Sequence, residues 1–126
     1  MEPRVLIVDD DSDLRDTLVR LLGRLGYNCR AASSSAEAIL ALEAAGPDLV
    51  VTDLLIPETD GWAVVRHARQ HRPPIPVIVL TAYPRAIRQM DGTTYVTKPF
   101  ANADLVNAVQ RAVRHPATPC ASPPSV

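Results

Sequence analysis

Three short apolar runs, continuous and rich in β-branched residues, are the feature that most restricts how this 126-residue chain can fold. Apolar runs of this length without polar alternation are typical of strands that are covered on both faces, as in a parallel sheet. A weaker run and a last, shorter run complete the set of predicted strands. In chain order the runs are Val5–Val8, Cys29–Ala32, Leu49–Val51, Val77–Leu80 and Tyr95–Thr97.

Stretches with helical periodicity separate these runs. Leu14, Leu18 and Leu22 recur at every fourth position, between Ser12, which can cap a helix, and Gly26, which can end one. Similar periods follow the second, third and fifth runs, and a weak one follows the fourth. Because crossovers between parallel strands are right-handed, this order predicts an α/β fold: a doubly wound, five-stranded parallel sheet with helices on both faces.

The composition of the chain changes only near its end. From His115 onwards, prolines alternate with small residues. We therefore expect residues 1–115 to form one domain and residues 116–126 to form a Pro-rich tail or the start of a linker. Both a stand-alone protein and a piece of a longer one fit this pattern.

Composition and charge exclude several classes of protein. Lys and Arg total 13 against 14 Asp and Glu, so the net charge of −1 gives no general attraction to nucleic acid or anionic lipid. The longest apolar run, Ala38–Leu42, is too short to span a membrane, and the first residues, Met1 to Arg4, do not have the charged-then-apolar pattern expected of a secretion signal. Cys29 and Cys120 have no paired spacing. We expect a cytoplasmic domain that binds neither membranes nor nucleic acid directly.

Polar residues follow four of the runs, at the edge where an open parallel sheet binds its ligands. This edge therefore gathers acids, a hydroxyl and an ammonium group. The residues are Asp9, Asp10 and Asp11 after the first run, Asp53 after the third, Thr81 after the fourth and Lys98 after the fifth.

Clustered carboxylates require a neutralising partner. A pair about 4 Å apart repels by about 4 kcal/mol at an effective dielectric of 20, so such a site takes up either a proton or a cation. Ligands that are all oxygen, in an open site, favour Mg²⁺. With Lys98 and Thr81 at the same edge the set suits a phosphoryl group, and Asp53, the acid that stands alone, is in the best position to carry it.

Several motifs occur in the order and with the residues of a known family. Together they cover residues 4 to about 114, and the chain resembles the receiver domain of bacterial two-component response regulators, of the chemotaxis-regulator type. The motifs are Val8-Asp9-Asp10, Asp53 to Pro57 with Asp60-Gly61, Leu80-Thr81-Ala82 and Lys98-Pro99-Phe100.

The resemblance implies a phosphorylation site. Asp53 is similar to the phosphoacceptor, which takes a phosphoryl group from a histidine kinase or a phosphotransfer protein. Asp9 and Asp10 match the acidic pair that holds Mg²⁺ together with Asp53 and the backbone carbonyl of Leu55. Lys98 matches the lysine that pairs with the phosphate.

The resemblance also implies a switch rather than an enzyme that turns over a substrate. Thr81 matches the switch hydroxyl, Tyr95 matches the aromatic residue that turns inward when the threonine moves, and Pro99 matches a cis-proline. Phosphorylation then shifts a conformational equilibrium and regulates an output domain or target protein that the sequence leaves unidentified. The domain catalyses only its own phosphorylation and dephosphorylation.

The chain differs from the family pattern in one interval and at two tuning positions. The interval from Thr81 to Lys98 is too short by about one helical turn or more, so we expect a shortened or irregular fourth helix, which leaves dimerisation through it open. Leu55 and Tyr83 occupy the two positions that tune the lifetime of the phosphorylated state. We expect this bulky, non-acidic pair to hinder the attacking water and prolong the acyl phosphate.

Two other functions stay open at this point. One is a receiver-like scaffold that binds partners independently of phosphate, which the short fourth helix favours. The other is a phosphohydrolase with an aspartyl nucleophile. Such an enzyme usually carries a second acid two residues after the nucleophile, where this chain has Leu55.

Overall fold

The five predicted strands form one sheet in a computed structural model of the chain, which describes residues 2–44, 46–53, 55–56, 59–71, 73–82 and 93–114. Strands and helices alternate along most of the chain. The elements are β1 (Arg4–Val8), α1 (Ser12–Arg24), β2 (Asn28–Ala32), α2 (Ser35–Ala44), β3 (Leu49–Asp53), β4 (Leu55–Ile56), β5 (Thr59–Asp60), α3 (Gly61–Gln70), β6 (Val77–Thr81), β7 (Thr93–Thr97) and α4 (Asn102–Arg114).

All neighbouring strands of the large sheet are parallel, and their order across it is β2-β1-β3-β6-β7. Strand β1, the second in this order, pairs on one side with β2 and on the other with β3, so that Val5 lies opposite both Cys29 and Leu49. Because β2 and β3 lie on opposite sides of β1, the strand order changes direction between β1 and β3. Doubly wound sheets bind ligands beyond the carboxyl ends of the strands at such a reversal.

Apolar side chains on both faces hold the sheet between two layers of helices. One face packs against α2 and α3, in a cluster that includes Leu6, Leu42 and Val50. The other packs against α1 and α4, in a cluster that includes Ile7 and Leu105. Burial of side chains of this size contributes about 1.5–3 kcal/mol each. Because the helices cover both faces, the carboxyl edge of the sheet is where polar groups can reach solvent.

The first helix begins directly after the acids that follow β1. Asp11 is its N-cap, and its side chain accepts hydrogen bonds from the backbone N–H groups of Asp13 and Leu14. The helix ends before Gly26, whose φ of 93° is a conformation that glycine adopts without strain. The cap at Asp11 therefore ties the end of β1 to the start of α1.

The predicted α/β fold is confirmed, with one addition that was not predicted. The two-residue strands β4 and β5 pair antiparallel between β3 and α3, and segments this short carry no periodicity that a sequence pattern could reveal. Residues 83–92, most of the interval between Thr81 and Lys98 in which we predict a short or irregular fourth helix, lie outside the described residues, as does the predicted tail. Within the described part of the chain, no helix has the length and apolar character needed to cross a membrane.

Candidate functional site

The carboxyl ends of four strands bring polar side chains to one edge of the sheet. Asp53 is the last residue of β3 and Thr81 the last of β6, while Asp9 and Lys98 directly follow β1 and β7. The backbone N–H of Lys98 donates to the carbonyl of Thr81 over 2.7 Å, so these two residues lie side by side. The structure thus brings the residues predicted from the strand ends to the same edge.

Lys98 links the two buried carboxylates of this edge. Its Nζ donates to Oδ2 of Asp53 over 2.7 Å and lies 3.4 Å from Oδ2 of Asp9. Burial alone would lower the pKa of Lys98, but the hydrogen bond to Asp53 and the charges of both acids outweigh burial and raise this pKa above its usual value. Lys98 therefore stays positively charged at neutral pH.

Lys98 is also the single lysine of the chain, since every other Lys or Arg position is an arginine. An ammonium group is a compact charge with three donors on a flexible stem, whereas a guanidinium group is a rigid planar fork. The ammonium can therefore serve two carboxylates at once and redistribute between them when a new anion enters.

Asp9 is almost fully buried, with 1% of its surface exposed. Its Oδ1 accepts from the backbone N–H of Asp11 over 2.9 Å, and its own backbone N–H donates to the carbonyl of Ala32 over 3.1 Å. Burial raises the pKa of Asp9, and the charge of Asp53 adds to this rise, while the Asp11 N–H and Lys98 act against it. The fold thus holds a carboxylate whose ionised form is costly without a further positive charge.

Asp9, Asp10 and Asp53 offer a cluster of carboxylate oxygens, one from each residue, that lie within 4.8 Å of one another. Three carboxylates against the single charge of Lys98 leave two negative charges, which one divalent cation would balance. Asp10 is exposed, so the cluster is open to solvent on its side. A hard ion that keeps several waters, such as Mg²⁺, fits this donor set. Leu55 begins β4 two residues after Asp53, and the role of its carbonyl stays a prediction.

Thr81 and Tyr95 lie on one face of the sheet, and Asp53 lies on the opposite face. Tyr95 lies opposite Val79, two residues before Thr81 on β6, and packs against the cluster covered by α2 and α3. Alternate residues of a strand share a face, so Thr81 belongs to that face. Asp53 instead continues the row of Val51, which packs against α1 and α4. The predicted switch pair therefore shares one face of the sheet.

The side chain of Tyr95 is turned towards the core. Its ring is partly buried, and its hydroxyl is buried without a hydrogen-bond partner in the described part of the chain. Burial raises the pKa of this hydroxyl.

The Lys98–Pro99 peptide bond is cis, as the family pattern implies. Tyr83, the second tuning position, lies outside the described residues.

An open groove of about 440 Å³, which the sequence pattern does not predict, borders Lys98. Leu14 and Phe100 are partly buried side chains that line it. Leu14 starts the apolar stripe of α1 immediately beside the acids, which is the signal that could have identified the groove. Its other lining residues are Asp11, Ala82 and Pro99.

Comparison with known proteins identifies the family. Residues 5–110 match the response regulator receiver domain. The chain belongs to this family. Receiver domains are signalling switches of two-component systems, and they generally bind Mg²⁺ at an acidic cluster of the kind formed here by Asp9, Asp10 and Asp53. The family match does not favour the scaffold or the phosphohydrolase as the function of this chain.

Several relatives are similar to this receiver domain over most of its length. The DNA-binding transcriptional regulator NtrC of Escherichia coli (strain K12) is 34% identical over 116 residues, which are 88% of this chain and 25% of NtrC. The response regulator MprA of Mycolicibacterium vanbaalenii is 36% identical over 124 residues, which are 94% of this chain and 53% of MprA. The chain therefore spans about a quarter to a half of the length of these curated relatives.

A solved structure supports the same assignment. The crystal structure of a response regulator receiver protein from Sinorhizobium medicae WSM419 has a TM-score of 0.82 and 31% identity to this receiver domain. The similarity covers 90% of this chain and 96% of that one.

The raised pKa of Asp9 gives a pH-dependent prediction for the metal-free receiver domain. The folded state binds the proton of the Asp9 carboxyl more tightly than the unfolded state, in which this carboxyl titrates near 3.8. The contribution of Asp9 to stability therefore falls as pH rises from the unfolded-state pKa through the higher folded-state pKa. Asp9→Asn removes this cost. We expect it to raise the free energy of unfolding at pH 7 by about 0.5–2 kcal/mol, with a smaller gain at pH 4.

Urea unfolding in the presence of a chelator measures this difference. Asp16→Asn, which neutralises an exposed acid of α1, is the matched control and should change stability little at either pH. A variant at Asp9 that is no more stable than the wild type at pH 7, or whose advantage shrinks as pH rises, would contradict the prediction.

Proposed function

We propose that this domain is a phosphoryl-accepting switch in which Asp53 takes the phosphoryl group from the phosphohistidine of a histidine kinase or a phosphotransfer protein. The observation that carries the proposal is the position of Asp53, a buried residue whose carboxylate is held 2.7 Å from the Lys98 ammonium and is clustered with Asp9 and Asp10. A nucleophilic carboxylate, a cation site and a mobile ammonium group at one edge are the groups that phosphoryl transfer needs.

In the proposed step a carboxylate oxygen of Asp53 forms a bond to phosphorus while the bond between phosphorus and the donor imidazole nitrogen breaks. The electron pair of the broken bond stays on the imidazole nitrogen, which takes up a proton. A bound Mg²⁺ would supply positive charge to the oxygens of the transferring group. Lys98 contributes a second positive charge at the same oxygens, because its Nζ already contacts the nucleophile.

The groove beside Lys98 is the route by which we expect the donor to approach. Its apolar side chains Leu14 and Phe100 lie next to the polar pocket, so a donor helix can pack there while its phosphohistidine reaches Asp53. The chain itself would then be a protein substrate with weak autophosphatase chemistry, rather than an enzyme with turnover.

The switch would work through the face that Thr81 and Tyr95 share. Phosphorylation adds about −1.5 to −2 charges and new acceptor oxygens at Asp53. Thr81 ends the strand beside the one that Asp53 ends, and its hydroxyl would turn to donate to such an oxygen. Its movement would change the space available to Tyr95 on the same face, and so shift the equilibrium between two arrangements of the β6–β7 side.

The organisation beyond the domain is part of the proposal. We take residues 1–115 as the receiver unit and residues 116–126 as a tail or linker towards an output partner. The relatives NtrC, a DNA-binding transcriptional regulator, and MprA, a response regulator, are two to four times as long as the matched region, which leaves room for output domains in those proteins. A cytoplasmic location belongs to the same proposal, whereas the output partner stays unidentified and dimerisation stays open.

Mass spectrometry tests the proposal directly. The domain is incubated with phosphoramidate, a small donor whose phosphorus–nitrogen bond mimics phosphohistidine, in the presence of Mg²⁺ or of a chelator. We expect the mass of one phosphoryl group to be added with Mg²⁺ only, on the peptide that contains Asp53. A modification elsewhere, or none under conditions in which a known receiver domain is labelled, would contradict the proposal.

A second measurement separates the switch from a phosphate-independent scaffold. Beryllofluoride with Mg²⁺ imitates the phosphoryl group, and we expect it to shift the amide resonances near Asp53 and near Tyr95 in NMR spectra. A scaffold would leave the Tyr95 region unchanged.

The lifetime of the phosphorylated state gives a further prediction. We expect Leu55→Asn and Tyr83→Glu each to accelerate loss of the phosphoryl group by roughly tenfold, about 1.4 kcal/mol in the barrier, because a polar side chain can orient the attacking water. Dephosphorylation is followed by mass spectrometry after removal of the donor. The prediction is wrong if both variants lose the group at the wild-type rate or more slowly.

A further inference from the structure

Arg15, a residue of α1, makes a contact with the acidic edge that the phosphotransfer proposal does not use. Its side chain is partly buried, and its Nη1 donates to the backbone carbonyl oxygen of Asp9 over 2.8 Å. A hydrogen bond from a charged donor is among the stronger kinds, most of all where it is shielded from water. The guanidinium thus ties the first turn of α1 back to the end of β1.

The hydrogen bond from Arg15 adds to the other contacts that hold Asp9 in place. The backbone N–H of Asp9 donates to Ala32, its Oδ1 accepts from Asp11, and its Oδ2 faces Lys98. The carbonyl held by Arg15 belongs to the peptide unit that joins Asp9 to Asp10. The rotation of this peptide unit decides where the backbone of Asp10 sits, and hence where its carboxylate can reach.

Asp10 is the member of the carboxylate cluster that needs such support. Asp9 and Asp53 are buried and both contact Lys98, whereas Asp10 is exposed. In the described part of the chain, no hydrogen bond or ion pair of the Asp10 side chain fixes its direction. Its position relative to the other two carboxylates therefore depends on its backbone.

We propose that Arg15 is a positioning residue of the magnesium site: by holding the carbonyl of Asp9 it fixes the Asp9–Asp10 peptide and keeps the Asp10 carboxylate within reach of an ion bound by Asp9 and Asp53. This inference rests on the proposed function, because it assumes that the cluster binds Mg²⁺. Groups that orient metal ligands commonly change metal affinity by about 10–100-fold when they are replaced.

The charge of Arg15 and its positioning role have opposite effects on the affinity for Mg²⁺. The direction in which the affinity changes when Arg15 is replaced therefore tests the inference. A positive charge near a cation site weakens metal binding, so its removal on electrostatic grounds alone would tighten binding. Loss of the hydrogen bond to Asp9 would instead release Asp10 and weaken binding. Arg15→Gln removes the charge, and Arg15→Lys keeps the charge but replaces the guanidinium fork with a single point donor.

Calorimetric titration with Mg²⁺ gives the dissociation constants. We expect Arg15→Gln to bind Mg²⁺ at least about tenfold more weakly than the wild type, and Arg15→Lys to fall between the two. Arg20→Gln is the matched control, since it removes an exposed arginine further along the same helix, and it should change the constant less than about twofold. Tighter or unchanged binding by Arg15→Gln overturns the inference.

Amide hydrogen exchange in the presence of a chelator provides a readout that does not involve the metal. We expect Arg15→Gln to accelerate exchange of the Asp11 N–H, which donates to Asp9, while core amides of β1 and β3 keep their protection. A uniform acceleration across the sheet would show a general loss of stability and overturn the positioning role. Absence of Mg²⁺ binding by the wild type would instead refute the proposed metal site itself, and the two failures are therefore distinguishable.

Discussion

Replacing Asp53 with asparagine is expected to abolish phosphoryl uptake, reducing its rate by at least about a thousandfold, which corresponds to about 4 kcal/mol in the barrier. The carboxylate is the proposed nucleophile, and a neutral amide lacks both its charge and its ability to form a stable acyl phosphate. The amide oxygen can still accept from Lys98, and the side chain keeps its volume at the end of β3. The fold should therefore persist, so the lost activity reports chemistry.

Two comparisons make this result decisive. Asp16→Asn, which neutralises an exposed acid on α1, should be phosphorylated like the wild type. Circular dichroism and urea unfolding verify that Asp53→Asn is folded. If this variant gains a phosphoryl group at the wild-type rate, on Asp10 or any other acid, Asp53 is not the phosphoacceptor.

The sheet and the convergence of the candidate site were both predictable from the sequence, for one physical reason. Parallel strands that are buried on both faces appear as continuous apolar runs, and the residue after each run must then lie at the shared carboxyl edge. Asp9, Asp53, Thr81 and Lys98 each follow or end such a run, so their meeting requires only that the runs are strands of one sheet.

The contacts inside the site were not predictable in the same way. Long side chains such as Lys98 and Arg15 have several rotamers, and a strand-end position does not decide which oxygen their nitrogen atoms reach. The Arg15 contact joins a helix side chain to a backbone carbonyl six residues earlier, which no motif encodes. The pairing of β4 with β5 involves two residues on each side, too few for a period.

The sequence pattern alone also did not show that the site is divided between the two faces of the sheet. Tyr95 and Thr81 share the face covered by α2 and α3, while Asp53 belongs to the row that packs against α1 and α4. Strand alternation contains this information, but only once the register of β6 against β7 is known. The proposed signal therefore passes through the sheet edge from the acids on one side to the switch pair on the other.

Removing the charge of Lys98 is expected to have a large effect on the stability of the metal-free domain. Lys98→Met leaves Asp9 and Asp53 buried beside each other without the ammonium group that contacts both. Breaking a buried ion pair from one side costs about 3–5 kcal/mol, and we expect the lower end, about 3 kcal/mol, because 24% of the lysine side chain is exposed. Protonation of Asp9, whose pKa is already raised, relieves this cost, so the deficit should shrink as pH falls from 7 towards 4.

Magnesium should recover part of this loss, because an ion that binds only the folded state stabilises it and supplies the missing positive charge. Urea unfolding of the wild type and of Lys98→Met, each with chelator and with Mg²⁺, measures the four free energies. Arg111→Met removes an exposed arginine of α4 and should cost little in either condition. A deficit in Lys98→Met that Mg²⁺ leaves unchanged would mean that the ion does not bind beside the acids and the lysine. It would contradict the proposed phosphoryl-accepting site.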